Sequence, residues 1–197
     1  MEGSIKLSIV TPTILRSSLK KAIDSISKQE FKEYEHLVMV DGVADISKYP
    51  RGKTQNIYVK KPFTGNDFGN YARHIGTTRT VGEYTIYLDD DNTHVKDSLS
   101  ILWEAIEKAN YPIWGVFPIT RMGERFLYNP GISRTDINQV FHRTYAPDGS
   151  RITFPPYKMQ TTDGIFVESL MQKFPAFVKL DVPELVIYNK MNYGNFY

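Results

Sequence analysis

The chain has 197 residues, 41% hydrophobic and 23% charged, which suits one globular domain with a substantial buried core. Twenty-four basic residues against 22 acidic ones leave a formal charge of +2, so neither nucleic acid nor an acidic membrane surface is expected as the main partner. The absence of cysteine excludes disulfides, thiolate metal sites and cysteine nucleophiles; no stretch approaches a membrane span, and a soluble cytoplasmic protein is the simplest expectation.

Taken in chain order, "IKLSIVTP" (5–12) predicts a buried strand entering a proline-marked loop. Ser17 or Ser18 caps a helix carrying Leu19, Ile23 and Ile26 at helical spacing. "EHLVMVDG" (35–42) and "QNIYVKK" (55–61) predict two further strands. "DFGNYARHIGTTRTVG" (67–82) predicts a helix with Phe68, Tyr71, Ala72 and Ile75 on one face, closed by Gly82. "EYTIYLDDD" then predicts a strand, followed by a helix through Leu99, Leu102, Trp103 and Ile106.

Beyond that point the pattern is less regular. A strand is expected over 111–122, with further strands or a hairpin in "RFLYNPG" and "NQVFHRTYA". A helix is expected over 161–175, ended by Pro175, and then a final pair of short strands. Strands alternating with helices predict an α/β protein with a largely parallel sheet, whose ligands bind beyond the carboxyl ends of the strands. Three such ends carry polar signatures: Thr11-Pro12-Thr13, Asp41-Gly42 and Asp89-Asp90-Asp91. Adjacent carboxylates at a strand end repel one another, and burial adds to the cost of ionising them. A divalent cation offsets that charge; a solvated acidic turn beside Asn92 is the plainer alternative.

"LSIVTPTILRSSLKKAIDSISKQEFKEYEHLVMVDG" and "GNYARHIGTTRTVGEYTIYLDDDN" resemble, in order and spacing, the family 2 glycosyltransferases, over roughly residues 5 to 110. Past Trp114 the likeness rests on sparse features. The resemblance implies a GT-A fold: a mostly parallel, Rossmann-like nucleotide-binding sheet flanked by helices, with a smaller mixed acceptor-side region. It implies a single domain over 1–197, with 1–110 binding the nucleotide sugar and 111–197 the acceptor. The implied reaction moves a sugar from a UDP-sugar to a hydroxyl of a glycan or glycoprotein, with inversion and with Mn2+ or Mg2+. The length and abrupt end also resemble the first domain of a larger viral or bacterial enzyme, such as a large algal-virus glycosyltransferase.

Residue by residue, the family pattern gives the metal to Asp91 and the ribose or a metal-bound water to Asp89 or Asp90. A hard dication suits carboxylate and diphosphate oxygens, and it stabilises the diphosphate leaving group. Asp41 matches the acceptor for a uracil imide N–H, although an aspartate before glycine is also a common turn residue. Thr11, Pro12 and Thr13 match the loop against base and ribose, and Arg73 the arginine near the diphosphate; His74 stands where the family often has Asn. Asp163 in "QTTDGIF" matches the catalytic base, though Thr162 replaces the usual first acidic residue and an N-cap role is equally open to it. Asp136 and Glu124 are fallbacks for the base.

His142 and His94 are weaker candidates for a third metal ligand or an acceptor contact. Trp114, Tyr157 and Phe154 are candidates for stacking on a sugar, with core packing the alternative. Two rivals remain. "IYLDDDNT" also fits the motif of haloacid-dehalogenase-type phosphatases, with Asp89 as nucleophile, Asp91 as acid/base and Thr93 on the phosphate. A nucleotide-sugar-binding module without catalytic activity is the other.

Overall fold

A computed structural model describes residues 4–41, 54–59, 66–121, 123–127, 130 and 135–189. β1 (Leu7–Thr13) is buried along its whole length, as a strand covered on both faces must be. Its alternate residues divide between two cores: Leu7 and Ile9 join Ala22, Ile26, Leu99 and Leu102, whereas Val10 joins Ala72, Phe166 and Leu170. The period of two thus places α1 (Leu19–Ser27) and α3 (Ser98–Lys108) on one face, and α2 (Asn70–Thr77) and α4 (Thr162–Lys173) on the other.

The remaining strands are β2 (Tyr34–Asp41), β3 (Thr54–Val59), β4 (Tyr84–Tyr87), β5 (Thr93–His94), β6 (Trp114–Val116), β7 (Ile119–Arg121), β8 (Glu124–Phe126), β9 (Val140–Arg143), β10 (Val178–Lys179) and β11 (Val186–Tyr188). A seven-stranded sheet has the order β10-β6-β9-β4-β1-β2-β3. β1 to β4 are mutually parallel, and β9 runs antiparallel between β4 and β6. A second, four-stranded sheet has the order β5-β11-β7-β8. The mixed α/β architecture expected from the alternation is therefore present.

Several boundaries differ from expectation, each for a physical reason. The strand expected over 111–122 breaks at Phe117-Pro118, and its halves, β6 and β7, belong to different sheets. The final two strands likewise separate, β10 pairing with β6 and β11 with β5 and β7. β5 was not anticipated, because two residues carry no readable period. α2 ends at Thr77, well short of Gly82, since Thr77 and Thr78 donate their hydroxyls to the carbonyls of His74 and Ile75. Phe68 lies before that helix with φ 58° and is 45% exposed, so it is not on the buried face. Gly76 is required by close approach: a Cβ there would stand 2.5 Å from Val10 Cγ1.

Candidate active site

Because β1, β2 and β4 are parallel, their carboxyl ends lie along one edge, with Thr13 in register with Val40. Thr13 donates its hydroxyl to Asp90 Oδ2 at 2.6 Å and accepts the N–H of Leu15 at 2.8 Å. Leu15 has φ 65°, turning the chain so that Arg16 Nη1 reaches Asp90 at 3.2 Å and Asp91 at 3.6 Å. The three aspartates of the "LDDDN" stretch are therefore not equivalent. Asp90 is buried and bonded, and Asp91 is half-buried with Arg16 nearby. Asp89 is held by Arg73 Nη2 and by Asn138, whose Nδ2 donates to Asp89 Oδ2 at 2.9 Å. Asn138 Oδ1 also accepts the Asp89 N–H at 2.7 Å, and the same Nδ2 donates to Asp136 Oδ1 at 2.7 Å.

Arg73 comes from the buried side of α2, where Nη1 donates to the Phe68 carbonyl at 2.8 Å and more weakly to Asn70 Oδ1 at 3.3 Å. Asp163, in the first turn of α4, enters the same group of charges from the opposite end of the chain. Its surroundings include Arg73, Asp89, Asp136 and the backbone N–H of Ile137, which donates to it. Segments around Arg73, Asp89, Asp136 and Asp163 thus converge on one cluster.

The electrostatics follow from that crowding. Burial, then the charges of Asp89 and Asp90, push the Asp91 carboxyl up to about 6 despite Arg16. Asp90 and Asp136 are raised too, chiefly by burial. Burial raises Asp163 to about 7; Asp89 and Asp136 add to the shift and Arg73 opposes it. For Arg73, burial disfavours the charge, but Asp89, Asp163 and Asp136 outweigh it and hold the guanidinium protonated. A carboxyl balanced near neutrality beside a fixed cation can accept a proton or carry one.

The other candidates are placed differently. Thr11 is fully buried, its hydroxyl bonded to His36 Nε2 at 2.9 Å, and Pro12 lies close to Gly69, where a Cβ would stand 3.0 Å from Pro12 Cβ. Asp41 ends β2, half-buried. His74 Nδ1 donates to the Phe154 carbonyl at 2.7 Å, tying α2 to the chain that precedes α4. His142 is fully buried and spent on the Tyr87 hydroxyl at 2.8 Å and the Arg143 carbonyl at 2.7 Å, which removes it as a metal ligand. His94 is buried against Ser98 at 2.8 Å, in the layer between α1 and α3. Both histidines stay neutral, lowered by burial to about 4 and about 3.

Trp114 and Phe154 are fully buried, Trp114 donating to the Phe174 carbonyl at 2.8 Å and stacking on Phe177, so both serve the core and neither can stack on a sugar. Tyr157 remains exposed. Glu124 is exposed on β8 in the second sheet, whereas Asp136 sits inside the cluster. Asp89, the nucleophile of the phosphatase reading, is occupied by Arg73 and Asn138, and Thr93 lies in β5. Among the described residues, no three His, Asp or Glu side chains form a metal cage. Sequence reasoning missed Asn70, Asn138 and Arg16; the spacing Asp136-x-Asn138, which forms an Asx turn, was the one local signal for Asn138.

The architecture is similar to solved glycosyltransferase structures. S. aureus TarS superposes with a TM-score of 0.74 at 16% identity, over 94% of this chain and 37% of TarS. A TarS fragment in complex with UDP-GlcNAc gives 0.72 at 17% identity, over 94% of this chain and 59% of the fragment. The mannosyltransferase PcManGT of Pyrobaculum calidifontis, in complex with GDP-Man and Mn2+, gives 0.63 at 11% identity, over 98% of this chain and 59% of that one. By sequence, the chain is 29% identical over 128 residues to the GalNAc(5)-diNAcBac-PP-undecaprenol beta-1,3-glucosyltransferase of Campylobacter jejuni, matching 60% of this chain. It is also 29% identical over 108 residues to an uncharacterized glycosyltransferase of Rickettsia conorii, matching 54% of this chain. It spans 40% of the Campylobacter protein's length and 18% of the Rickettsia protein's. The family model for glycosyl transferase family 2 matches residues 8–172, and the chain belongs to that family.

Proposed function

We propose that this chain transfers a sugar from a UDP-sugar to a hydroxyl of a glycan or glycoprotein acceptor, with inversion and with a divalent cation at Asp91. The observation that carries the reading is the meeting of Asp163 with Arg73, Asp89 and Asp136 beyond the carboxyl ends of parallel strands. Asp163 is the general base: it takes the acceptor hydroxyl's proton as oxygen attacks the anomeric carbon and the bond to the diphosphate breaks. Arg73 is a buried, permanent cation whose Nε–H has no partner among the described residues, and its charge favours a diphosphate at this edge. Residues 1–110 hold the donor and 111–197 face the acceptor.

The donor set fits a cation shared with the diphosphate rather than a cage made by protein alone. Asp89 and Asp90 are engaged by Arg73, Asn138, Thr13 and Arg16, which leaves Asp91 as the principal protein ligand. Asp91 would hold Mg2+ or Mn2+, which would supply charge stabilisation of the diphosphate leaving group. Thr11 and Pro12 contribute backbone and ring surface to the base and ribose, since the Thr11 hydroxyl is taken by His36. Thr13 and Asp90 brace that loop, and Asp41 accepts the uracil imide N–H.

A thermal-shift titration tests the reading. UDP with Mn2+ raises Tm by several degrees. Asp91→Ala removes the metal-dependent part, and Asp163→Asn keeps it. No shift with UDP and Mn2+ in the wild type refutes the donor assignment, and an undiminished metal effect in Asp91→Ala refutes the metal assignment. The anomeric configuration of the product, read by NMR, decides inversion.

A further inference from the structure

We propose that Asn70 is a positioning residue, setting where the Asp163 carboxylate stands relative to the Arg73–Asp89 pair; the inference rests on the catalytic reading above. Asn70 is the first residue of α2 and is 1% exposed. Its Nδ2 faces three oxygens: the Tyr157 carbonyl at 2.8 Å, the Met159 carbonyl at 2.9 Å and Thr162 Oγ1 at 2.9 Å. Its Oδ1 faces Arg73 Nη1 at 3.3 Å. One amide therefore joins the arginine of the donor side to the residue immediately before the base.

Both ends of this link are pinned. The start of α2 is held by Asp67, whose carbonyl accepts the Asn70 N–H at 3.0 Å and whose Oδ2 accepts the Tyr71 N–H at 2.8 Å. At the other end Thr162 is fully buried, and its hydroxyl also donates to the Met159 carbonyl at 2.6 Å. The turn over 157–162 is thus wound around a single side chain from another element, and α4 departs from it with Asp163 in its first turn. Asn is well suited here, because the site needs donor hydrogens for several oxygens and an acceptor for a guanidinium on one short stem. Aspartate lacks the donors, and alanine leaves the Tyr157 carbonyl with only a long 3.4 Å contact from the Thr162 hydroxyl while Met159 keeps its Thr162 bond.

The functional consequence follows from the reach of proton transfer. A base must lie within hydrogen-bond distance of the hydroxyl it serves, and a displacement of about 1 Å costs roughly 100-fold in rate. Releasing the 157–162 turn moves the base but leaves Arg73 its bonds to Asp89 and Phe68, so donor binding survives.

Asn70→Ala and Thr162→Val are compared with wild type in full-length protein, using UDP-glucose, UDP-galactose and UDP-N-acetylglucosamine with Mn2+ and measuring UDP release. Asn70→Ala lowers kcat about 30-fold or more, with KM for the sugar nucleotide and Kd for UDP within about threefold. Thr162→Val, which keeps the two carbonyl bonds, gives a smaller loss in kcat with the same split. Amide hydrogen exchange at Ile137 and over 162–164 quickens in Asn70→Ala. A folded Asn70→Ala with kcat within threefold of wild type, or with UDP binding lost in parallel with kcat, overturns the assignment. If Asn70→Ala does not fold, the same split in Thr162→Val decides it. If the wild type binds UDP yet releases none from any donor, the catalytic reading fails, and unchanged exchange at Ile137 and 162–164 in Asn70→Ala then overturns the positioning claim separately.

Discussion

Asp163 shares its surroundings with Arg73, Asp89 and Asp136, so both its charge state and its chemistry depend on them. Asp163→Asn is expected to reduce transfer by about 100-fold or more while UDP binding is retained, measured by UDP release and by Kd. In the wild type, a pH–rate profile of UDP release is expected to rise as the carboxyl ionises through about 7 and then level off. The same group sets a sign on stability. Its folded pKa lies above the unfolded value, so the folded state keeps a proton that the unfolded chain releases between about pH 4 and 7. Stability from this group therefore falls as pH rises across that window. Urea melts of Asp163→Asn and wild type should coincide near pH 4 and separate above pH 7, with the variant more stable. Arg73 is the complementary case. Arg73→Leu strands Asp89 without its cation and should cost about 3 kcal/mol or more by urea unfolding. Arg73→Lys restores little of that, because one ammonium cannot span Asp89, Phe68 and Asn70 as the guanidinium fork does.

At the scale of elements, Gly76 decides how closely α2 sits on the sheet. Gly76 lets that helix lie against β1, and an added Cβ would meet Val10 Cγ1 at 2.5 Å and Met39 Cγ at 3.2 Å. Alanine favours a helix over glycine by about 1 kcal/mol, but overpacking against a stiff β-branched side chain costs about 1 to 3 kcal/mol. Gly76→Ala should therefore be net destabilising in urea melts, and should raise KM for the sugar nucleotide because α2 carries Arg73. The long elements were readable because their patterns are local: Leu7, Ile9 and Val10 of β1 running into Pro12, and the helical stripe of Leu99, Leu102 and Ile106 in α3. The short ones were readable only in part: a final pair of strands is expected where β10 and β11 lie, but their membership of different sheets and the two-residue β5 are not. β6 and β7 read as one strand, since the break at Phe117-Pro118 is visible only when the two halves join different sheets. β5, β10 and β11 are two or three residues long and exist through pairing with distant partners.

For the molecule as a whole, three histidines are buried neutral: His36 and His94 at about 3 and His142 at about 4, each lowered chiefly by burial. Unfolding exposes them to water at ordinary values near 6.5, so the unfolded chain binds more of their protons below that pH. Stability from this set is fully present above about pH 6.5 and is lost as pH falls toward 4. The raised carboxyls Asp91 and Asp163 act in the opposite sense over much of that range and flatten the curve. Replacing His142 by Gln should reduce the steepness of acid unfolding, followed by circular dichroism from pH 7 to 4, at some cost in the Tyr87 contact. None of the described helices is long and apolar enough to cross a membrane. Read alone, the sequence determined the α/β class, the order of the first elements and the edge at which "TPT", "VDG" and "LDDDN" collect, because alternation and spacing are properties of neighbouring residues. Only the tertiary structure decided how the three aspartates divide, with Asp89 given to Arg73 and Asn138, Asp90 to Thr13 and Arg16, and Asp91 facing Arg16 at 3.6 Å. It alone brought Asp163 to them and placed Asn70 between Arg73 and Thr162. Those contacts join residues as many as 92 positions apart, a distance over which sequence spacing carries no information and packing carries all of it.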